Sequence, residues 1–271
     1  MAQKVIWSLR DPEISKLFRL STEKQLRYTL RKCVISSKPL IMDLAPSTTF
    51  SDLIVDKKPK SDFPFKFERL HIVSPKILTK IGSLKNAGGG VIAILPIPEP
   101  LNVEAFDAAG MLIVDGVQDS GELGTLLRSA AAFNWRTVWI THTCADPFDP
   151  VSLRASQGAL FTLPYRIGSL DNAIKHSRKT KALLKLRFVG NLESSGTSLS
   201  ISEHPLSDST LPLPSPNGCC LLIQNGLAGS IAPIRDFTRV SIAGVDKLHE
   251  MPLSVSASTL MHIIRNRYPT S

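Results

Sequence analysis

Residues 111–133 read MLIVDGVQDSGELGTLLRSAAAF, and this stretch decides the fold of the C-terminal part of the chain. Its apolar run Met111–Val114 has the length of a buried parallel strand, and Asp115 begins a turn. Asp119 or Ser120 is the candidate N-cap of the helix that follows. A strand, a glycine-bearing loop and a helix N-terminus form a place where backbone N–H groups can meet an anion. The glycine spacing matches neither the dinucleotide nor the nucleoside triphosphate pattern, so the stretch predicts an α/β fold that uses this loop for another ligand.

Positive charge dominates the composition of the 271-residue chain. Lys and Arg number 32 against 23 Asp and Glu, which gives a net charge of +9 and a pI of about 9.5. A basic protein of this kind is often held to a polyanion through phosphate groups, so nucleic acid is the leading partner. A charge that serves only solubility is the alternative.

The cysteines predict an intracellular, reducing compartment. Cys33, Cys144, Cys219 and Cys220 form no C-x-x-C pair, and the adjacent pair could bridge only with strain. No apolar run is long enough to span a membrane, so we expect no membrane partner. The opening residues lack a secretory apolar segment and hold too few Ser and Arg for a transit peptide.

Strand and helix signals alternate along the chain and predict two α/β domains, residues 1–100 and 101–271, joined by the stiff segment Pro96–Pro100. For the first domain the patterns predict a helix that begins at Asp11-Pro12, strands over Cys33–Leu44, Leu70–Val73 and Val91–Leu95, a polar loop over Asp52–Lys66 and a helix over Pro75–Leu84. For the second they predict strands over Thr137–Ile140, Phe161–Pro164, Cys219–Ile223 and Arg239–Ile242, helices over Ser152–Leu160, Asp171–Leu186 and Ser254–Arg267, and a mobile excursion over Asn191–Gly218.

Two groups of basic residues are candidate nucleic-acid contacts. They are Lys16, Arg27, Arg31 and Lys32 in the first domain, and Lys175, Arg178, Lys179 and Lys181 in the second. A solvated helix surface is the alternative for both groups. His142, Cys144 and Asp146 lie close in sequence, but no second ligand group stands at a recognised spacing, so no metal site is predicted.

Five blocks in chain order resemble the SpoU/TrmH family of RNA ribose 2′-O-methyltransferases. The blocks are SLRDPEISKLFRL (8–20), IVSPKILTKIGSLKNAGGGVIAILPIPEP (72–100), DGVQDSGELGTLLRSAAAF (115–133) with LRASQGALFTLP (153–164), LLIQNGLAGS (221–230) and VSIAGVDKLHEMPLSVSASTLMHI (240–263). The resemblance implies a small RNA-binding substrate domain followed by a SPOUT domain, whose parallel sheet carries a deep trefoil knot. It also implies S-adenosyl-L-methionine in the knotted loops, methyl transfer to a ribose 2′-OH, ribosomal RNA as the substrate, and a dimer with itself or with a related methyltransferase.

The family's first motif is Asn-x-Gly-x-x-x-Arg. Gly124 and Arg128 match it, and Glu122 stands where the family has Asn. Proton abstraction from the 2′-OH is one role proposed for the arginine. A guanidinium is effectively always protonated, so phosphate anchoring is the better expectation for Arg128, which joins the RNA contacts.

The second motif, Gly-Asn-Glu-Gly-x-Gly-Leu, aligns with residues 224–230. Asn225 and Gly229 match, whereas Gln224 and Leu227 replace glycines and the Glu is lost. A register shift of one residue recovers Gly226 but restores no Glu. Side chains added at glycine positions would intrude on the space of the cofactor.

The third motif keeps apolar residues and loses a polar one. Val240, Ile242 and Met251 fit the cofactor wall or, equally, the core, and Pro252 replaces the motif's Asn. If the chain is active, the resemblance implies Arg128, Glu122 and Asn225 as catalytic residues. The cofactor contacts would then be Gln224, Gly226, Gly229, Val240, Ile242, Met251 and Ser254.

Two interpretations follow from these departures. In the first, the chain is a catalytically degenerate relative that binds ribosomal RNA during ribosome assembly, needs no cofactor, and suits a mitochondrion better than the cytoplasm. In the second, it is an active S-adenosyl-L-methionine-dependent rRNA 2′-O-methyltransferase, in which Glu122, Asn225 and Ser254 or Ser256 supply the missing hydrogen bonds. Loss of several transition-state contacts raises the barrier by more than one such loss, which favours the first interpretation.

Overall fold

The computed structural model describes residues 2–6, 8, 10–57, 63–82, 90–105, 108–179, 184–190, 204–206, 218–226, 234–242 and 251–267. In chain order its helices and strands are β1 (Ala2–Ile6), α1 (Pro12–Thr22), α2 (Lys24–Leu30), β2 (Lys32–Ile35), α3 (Lys38–Leu44), β3 (Phe50–Val55), β4 (Phe67–Val73), α4 (Pro75–Ile81), β5 (Val91–Pro96), β6 (Met111–Asp115), α5 (Ser120–Ala132), β7 (Thr137–Thr141), α6 (Pro150–Ser156), β8 (Tyr165–Gly168), α7 (Leu170–Lys179), β9 (Leu184–Gly190), β10 (His204–Leu206), β11 (Cys219–Asn225), β12 (Thr238–Ile242) and α8 (Leu253–Arg267).

The chain divides into two compact units. Unit 1 comprises Met1–Glu99 and Asp146–Phe161, and unit 2 comprises Pro100–Ala145 and Thr162–Ser271. The boundary between Glu99 of unit 1 and Pro100 of unit 2 lies in the proline-rich segment Pro96–Pro100. The sequence predicts one continuous domain over residues 101–271, and Asp146–Phe161 departs from that prediction because α6 packs against β2 within unit 1.

Unit 1 is built on a mixed sheet with strand order β1-β4-β3-β5-β2. Strands β1, β4 and β3 run parallel, and β5 runs antiparallel to both β3 and β2. Helix α1 begins as predicted: the Asp11 side chain accepts a hydrogen bond from the Glu13 backbone N–H at 2.8 Å, and Pro12 stands in the first turn. Its apolar side, with Ile14 and Leu17, packs into a core that includes Ile54 of β3.

Two predictions for unit 1 are wrong. The predicted strand Cys33–Leu44 is the short strand β2 followed by α3, because a proline in the first turn of α3 favours a helix start after Ser37. The predicted polar loop Asp52–Lys66 instead begins inside β3, whose six residues are all buried. The polar side chain of Asp52 favours a loop in the sequence pattern, but it is buried in a strand because its partners lie on the neighbouring strand β4.

Unit 2 is built on a sheet with strand order β10-β12-β9-β11-β6-β7-β8, and every described pairing in it is parallel. This confirms the predicted α/β fold with a parallel sheet. Met111–Val114 of β6 are fully buried, as expected of a central parallel strand. Asp119 caps α5, since its side-chain Oδ1 accepts a hydrogen bond from the Glu122 N–H at 2.7 Å.

Two predictions for unit 2 are also wrong. The predicted strand Phe161–Pro164 precedes β8, which begins only at Tyr165. The predicted helix Asp171–Leu186 stops at Lys179 in α7, and Leu184–Gly190 form β9 between β11 and β12. Leu, Lys, Leu and Arg alternate from residue 184 with the period of a strand. The lysine-rich segment before them favours a helix, so the pattern over the whole stretch predicts a helix that is too long.

Several expectations lie wholly or partly outside the described residues. Most of the predicted mobile excursion does, apart from β10 and Gly218, and so do the segments 227–233 and 243–250 in which the knotted loops are expected. The apolar side of α8, with Leu260, Met261 and Ile264, is buried against α5 within this chain. No helix in the described part of the chain is long and apolar enough to cross a membrane. The four cysteines are buried free thiols.

Arg27 and Asp146 form a buried ion pair in unit 1. Arg27 is 2% exposed, and its Nη2 lies 2.7 Å from Asp146 Oδ2. Arg27 Nη1 also donates to the backbone oxygens of Leu20 and Ser21. Tyr28 Oη donates to the second carboxylate oxygen of Asp146 at 2.9 Å. Every partner of this pair thus belongs to unit 1, and the charge is satisfied by both a carboxylate and carbonyl oxygens.

Replacing Arg27 should destabilise the fold strongly. We expect Arg27→Met to lower the free energy of unfolding by about 3–5 kcal/mol, because it leaves the Asp146 carboxylate buried without a counter-charge. Urea unfolding of wild type and variant measures the difference. Arg19→Met is the control: the Arg19–Glu23 pair is solvent-exposed, so its unfolding midpoint should stay close to that of wild type. A similar small effect for Arg27→Met would contradict a structural role of this pair.

Candidate functional site

The Asp115 carboxylate organises the carboxyl edge of the unit 2 sheet. Asp115 ends β6, and its Oδ1 accepts hydrogen bonds from Thr141 Oγ1 at 2.7 Å and Thr143 Oγ1 at 2.9 Å. Its Oδ2 accepts from Gln224 Nε2 at 2.7 Å. Gln224 stands beside Asp115 in the register of β11 and β6. The ends of three neighbouring strands and of the loop after β7 are therefore joined through one carboxylate, at the edge where parallel α/β sheets place their ligands.

Gln224 connects this carboxylate to a buried arginine. Its Oε1 accepts a hydrogen bond from Arg187 Nε at 2.5 Å, and both side chains are almost fully buried. Arg187 lies on β9 directly beside Arg239 of β12 in the sheet register. Burial lowers the pKa of the Arg187 guanidinium, the charge of Arg239 lowers it further, and the charge of Asp115 acts in the opposite direction.

The Glu122 side chain forms a hydrogen bond with the first turn of another helix, α8. It lies in the first turn of α5, and its Oε1 accepts a hydrogen bond from the Ser254 backbone N–H at 3.1 Å, in the first turn of α8. A carboxylate at this end of a helix also interacts favourably with the helix dipole. The start of α8 is held tightly from a second side, since a Cβ atom at Gly190 would lie 2.5 Å from Leu253 Cδ1.

The remaining motif residues have varied environments. Gly124 is buried within α5, while Arg128 is exposed, and its guanidinium pairs with no carboxylate in the described part of the chain. Asn225 is the last residue of β11 and Gly226 follows it, and Val240 is buried in β12. Met251 and Ser254 are half-buried near the start of α8, and the buried Ser256 Oγ has no hydrogen-bond partner among the described residues. Leu227 and Gly229 lie outside the described residues, as does the side chain of Ile242.

The described side chains do not fit the family's cofactor at position 224. The family pattern has glycine there, which leaves the space of a side chain open for a ligand. Here the position carries the Gln224 side chain, which is held at both ends, by Asp115 and by Arg187. Moving it aside would leave the Arg187 guanidinium without a partner that it has now, at a position that water reaches poorly.

The predicted RNA contacts have different environments in the structure. Arg27 is buried in the ion pair with Asp146, so its prediction as an RNA contact is wrong for this structure. Arg31 pairs with Glu99 at 2.8 Å, and Arg178 pairs with Asp236 at 3.0 Å. Lys16, Lys32, Lys175 and Lys179 form no ion pair with another described residue and are exposed or half-buried. Lys181 lies outside the described residues.

Unit 1 holds a charged cluster that the sequence reading missed. Asp52 of β3 is buried, and its Oδ1 is hydrogen-bonded to His71 Nε2 at 2.9 Å, while its Oδ2 accepts from Arg69 Nη2 at 3.0 Å; both partners lie on the neighbouring strand β4. Glu13 of α1 faces the same group and pairs with Lys4 at 2.9 Å. The sequence does contain a signal for this strand: the residues around Asp52, FSDLIV, are apolar or small and suit a buried strand better than a loop.

Glu13, Asp52 and His71 offer ligand atoms within 4.8 Å of one another, the spacing of a metal site. Arg69 and Lys4 already neutralise the two carboxylates, so the geometry is that of an ion-pair cluster. Within the described ranges, His142, Cys144 and Asp146 form no such group. Asp146 is instead held by Arg27 and Tyr28.

The fold and the site define an α/β protein in which a parallel sheet presents a polar, ligand-facing carboxyl edge. Residues 110–223 match the model of the SpoU rRNA Methylase family. For this part of the chain, the match confirms the resemblance drawn from the sequence blocks.

Structural comparison extends the likeness over the whole chain. An rRNA methyltransferase from Sinorhizobium meliloti covers 100% of both chains with a TM-score of 0.75 and 18% identity. An AdoMet-bound rRNA methyltransferase from the same organism covers 99% of both chains with a TM-score of 0.72 and 19% identity. At this identity the likeness establishes the fold.

Sequence relatives carry similar names but are aligned over shorter regions. An uncharacterized tRNA/rRNA methyltransferase of Synechocystis is 37% identical over 94 residues, which is 35% of this chain and 34% of that protein. The mitochondrial rRNA methyltransferase 3 of Xenopus tropicalis is 28% identical over 171 residues, which is 59% of this chain and 41% of that protein. The matched region therefore spans well under half the length of these curated relatives.

The Asp52 cluster should make the stability of the protein sensitive to acid. Burial raises the pKa of the Asp52 carboxyl, but hydrogen bonds and charge from His71 and Arg69 outweigh it and bring the pKa to about 2. The pKa is lowered on folding, so the stability that Asp52 contributes is complete above about pH 4 and is lost as the pH falls through about 2.

We therefore expect Asp52→Asn to lower the free energy of unfolding by about 2 kcal/mol near pH 6 and by progressively less toward pH 2. Urea unfolding at a series of pH values measures the difference in the free energy of unfolding between variant and wild type. The other carboxyl groups are present in both proteins, so their contributions cancel in this difference. Asp43→Asn, at an exposed position of α3, is the control and should have little effect at any of these pH values. A difference for Asp52→Asn that does not change with pH would contradict the lowered pKa.

Proposed function

We propose that this chain is a SpoU-type rRNA methyltransferase-like protein that binds ribosomal RNA in ribosome assembly without transferring a methyl group. The observation that carries the proposal is the Gln224 side chain, which fills a glycine position of the family's cofactor motif and is bonded to Asp115 and Arg187. The SpoU rRNA Methylase match and the fold give the family; the loss of catalysis is our inference from the site.

The altered residues support this proposal because they serve the fold. Glu122, in place of the motif's Asn, caps α8 through the Ser254 N–H. Gln224 links Asp115 to a buried charge. A residue that already satisfies a buried partner is not free to exchange it for a substrate without cost. Pro252 adds to this, because it offers neither a side-chain hydrogen bond nor a backbone N–H.

RNA binding is proposed from the basic charge that the fold leaves unpaired. Lys175 and Lys179 are exposed on α7, and no described carboxylate pairs with them. Ribosomal RNA is the substrate named for the Sinorhizobium and Xenopus proteins, and the Xenopus relative is mitochondrial. We propose the same RNA class here, with a mitochondrion favoured over the cytoplasm. A knotted SPOUT domain and a dimer, with itself or a related methyltransferase, complete the proposal by analogy with the family.

An active rRNA 2′-O-methyltransferase is the second candidate. Arg128 favours it, since this residue matches the family's arginine and its exposed guanidinium has no described carboxylate partner. In that case the cofactor is S-adenosyl-L-methionine, which supplies the methyl group, and Arg128 anchors a phosphate of the RNA.

Calorimetric titration with S-adenosylmethionine distinguishes the two candidates. For the purified protein we expect no binding tighter than a Kd of about 1 mM. Labelled methyl transfer to ribosomal RNA should stay at background in both wild type and Arg128→Ala. Micromolar cofactor binding, together with methyl transfer that Arg128→Ala abolishes, would contradict the degenerate interpretation and establish the active one.

RNA binding should be electrostatic and should depend on α7. We expect the affinity for a ribosomal RNA fragment to fall steeply with salt, and Lys175→Ala to reduce the slope of log Kd against log salt by about 0.7–1, as the loss of one phosphate contact does. Fluorescence anisotropy at several salt concentrations measures both quantities. Lys38→Ala, an exposed lysine of α3, is the control with the same change in net charge. Affinity that is equal at low and high salt would overturn the proposed mode of binding.

A further inference from the structure

Unit 1 contains a cavity of about 330 Å³ between α1 and the sheet. Its floor is aliphatic and includes Leu17 and Leu20 of α1, Leu30 of α2 and Ile94 of β5. These side chains are buried or partly buried parts of the unit 1 core. The volume lies at the small end of the range for ligand pockets, which suits a group the size of one nucleobase.

The mouth of the cavity carries unbalanced positive charge. Of its lining residues, Asp52 is neutralised by Arg69 and His71, and Glu13 is paired with Lys4. Lys16 and Lys32 also line the cavity, and neither pairs with a carboxylate among the described residues. Two ammonium groups are thus available to an anion at the edge of an apolar floor.

One wall of the cavity offers a hydrogen-bond acceptor. Glu13 Oε2 accepts from Lys4, whereas Glu13 Oε1 lies 3.8 Å from Arg69 Nη1 and 3.9 Å from His71 Nε2. Both separations exceed hydrogen-bond distance, so Oε1 of this lining residue retains accepting capacity. A carboxylate oxygen of this kind suits a ligand edge that presents N–H groups, such as the N1–H and N2–H₂ of guanine.

We propose that this cavity binds a single unstacked nucleotide of the RNA, with its base on the aliphatic floor and its phosphate against Lys16 and Lys32. Sequence-specific proteins commonly take bases of single-stranded RNA out of the stack and bind them in this way. Glu13 favours guanine over uracil, which presents a single N–H. The inference rests on the proposed RNA binding but assigns it a site in unit 1, whereas the altered motif residues belong to unit 2.

Methyl NMR tests the cavity directly with a mononucleotide. In the full chain labelled at Leu and Ile methyls, we expect guanosine 5′-monophosphate to shift the resonances of Leu17, Leu20, Leu30 and Ile94. Leu112 and Ile113, in the core of unit 2, should not shift. Uridine 5′-monophosphate should bind more weakly.

A double variant tests the phosphate contacts. We expect Lys16→Ala with Lys32→Ala to weaken guanosine monophosphate binding at least about tenfold, since two charge-assisted contacts are lost. Lys38→Ala with Lys76→Ala removes the same charge from exposed positions of unit 1 that do not line the cavity, and should leave the affinity near that of wild type.

Three outcomes would overturn the proposal. Absence of methyl shifts with guanosine monophosphate in folded protein rules out the nucleotide site. Identical shifts with inorganic phosphate alone reduce it to an anion site, and shifts with MgCl₂ alone would point to the carboxylates. RNA binding is measured by fluorescence anisotropy on the same preparation. If the protein binds RNA but the cavity methyls do not shift, the proposed function stands and this site is wrong. If the protein shows neither RNA binding nor methyl shifts, the proposed function is contradicted as well.

Discussion

The polar carboxyl edge of the unit 2 sheet depends on one carboxylate, that of Asp115 at the end of the interior strand β6. Asp115 Oδ1 takes hydrogen bonds from two threonines, and Oδ2 takes one from Gln224, whose other end holds Arg187. Arg187 is buried beside Arg239, so a negative charge is needed within reach of this pair. Gln224 is neutral, but it can accept from the guanidinium and donate to the carboxylate at once, and therefore couples the two charges across the sheet.

This coupling explains why the change at position 224 reaches beyond the cofactor. A glycine there would open space on the ligand side and, by the same step, remove the connection between Asp115 and Arg187. The residue that replaces the motif's glycine is thus also a hydrogen-bond partner of the buried charge. Glu122 combines two effects in the same way, because its carboxylate replaces a motif amide and at the same time supports the first turn of α8. In both places the residue that departs from the family's motif makes hydrogen bonds within the fold.

The sequence was a good guide where a pattern is local. The strand, turn and helix of residues 111–133 follow from apolar run length and from the Asp119 cap, both of which act within a few residues. It failed where a polar side chain finds its partner far along the chain. Asp52 resembles a loop residue until β4 brings Arg69 and His71 beside it, and Arg27 resembles a surface cation although Asp146, 119 residues away, accepts its hydrogen bond in the interior. The motif departures could be read from the sequence, but the hydrogen bonds that Glu122 and Gln224 make could not.

The same distinction separates binding from chemistry in this protein. Lys16, Lys32, Lys175 and Lys179 make no ion pair in the described structure, so their charges are available to phosphates at little cost to the fold. Glu122 and Gln224 are committed to internal partners, so any ligand that needs them must first compensate the groups they hold. Electrostatic attraction to RNA requires only the first set, whereas the second set stands at positions of the motifs that the resemblance links to methyl transfer. The proposal that this chain holds RNA without modifying it rests on this contrast between the two sets of residues.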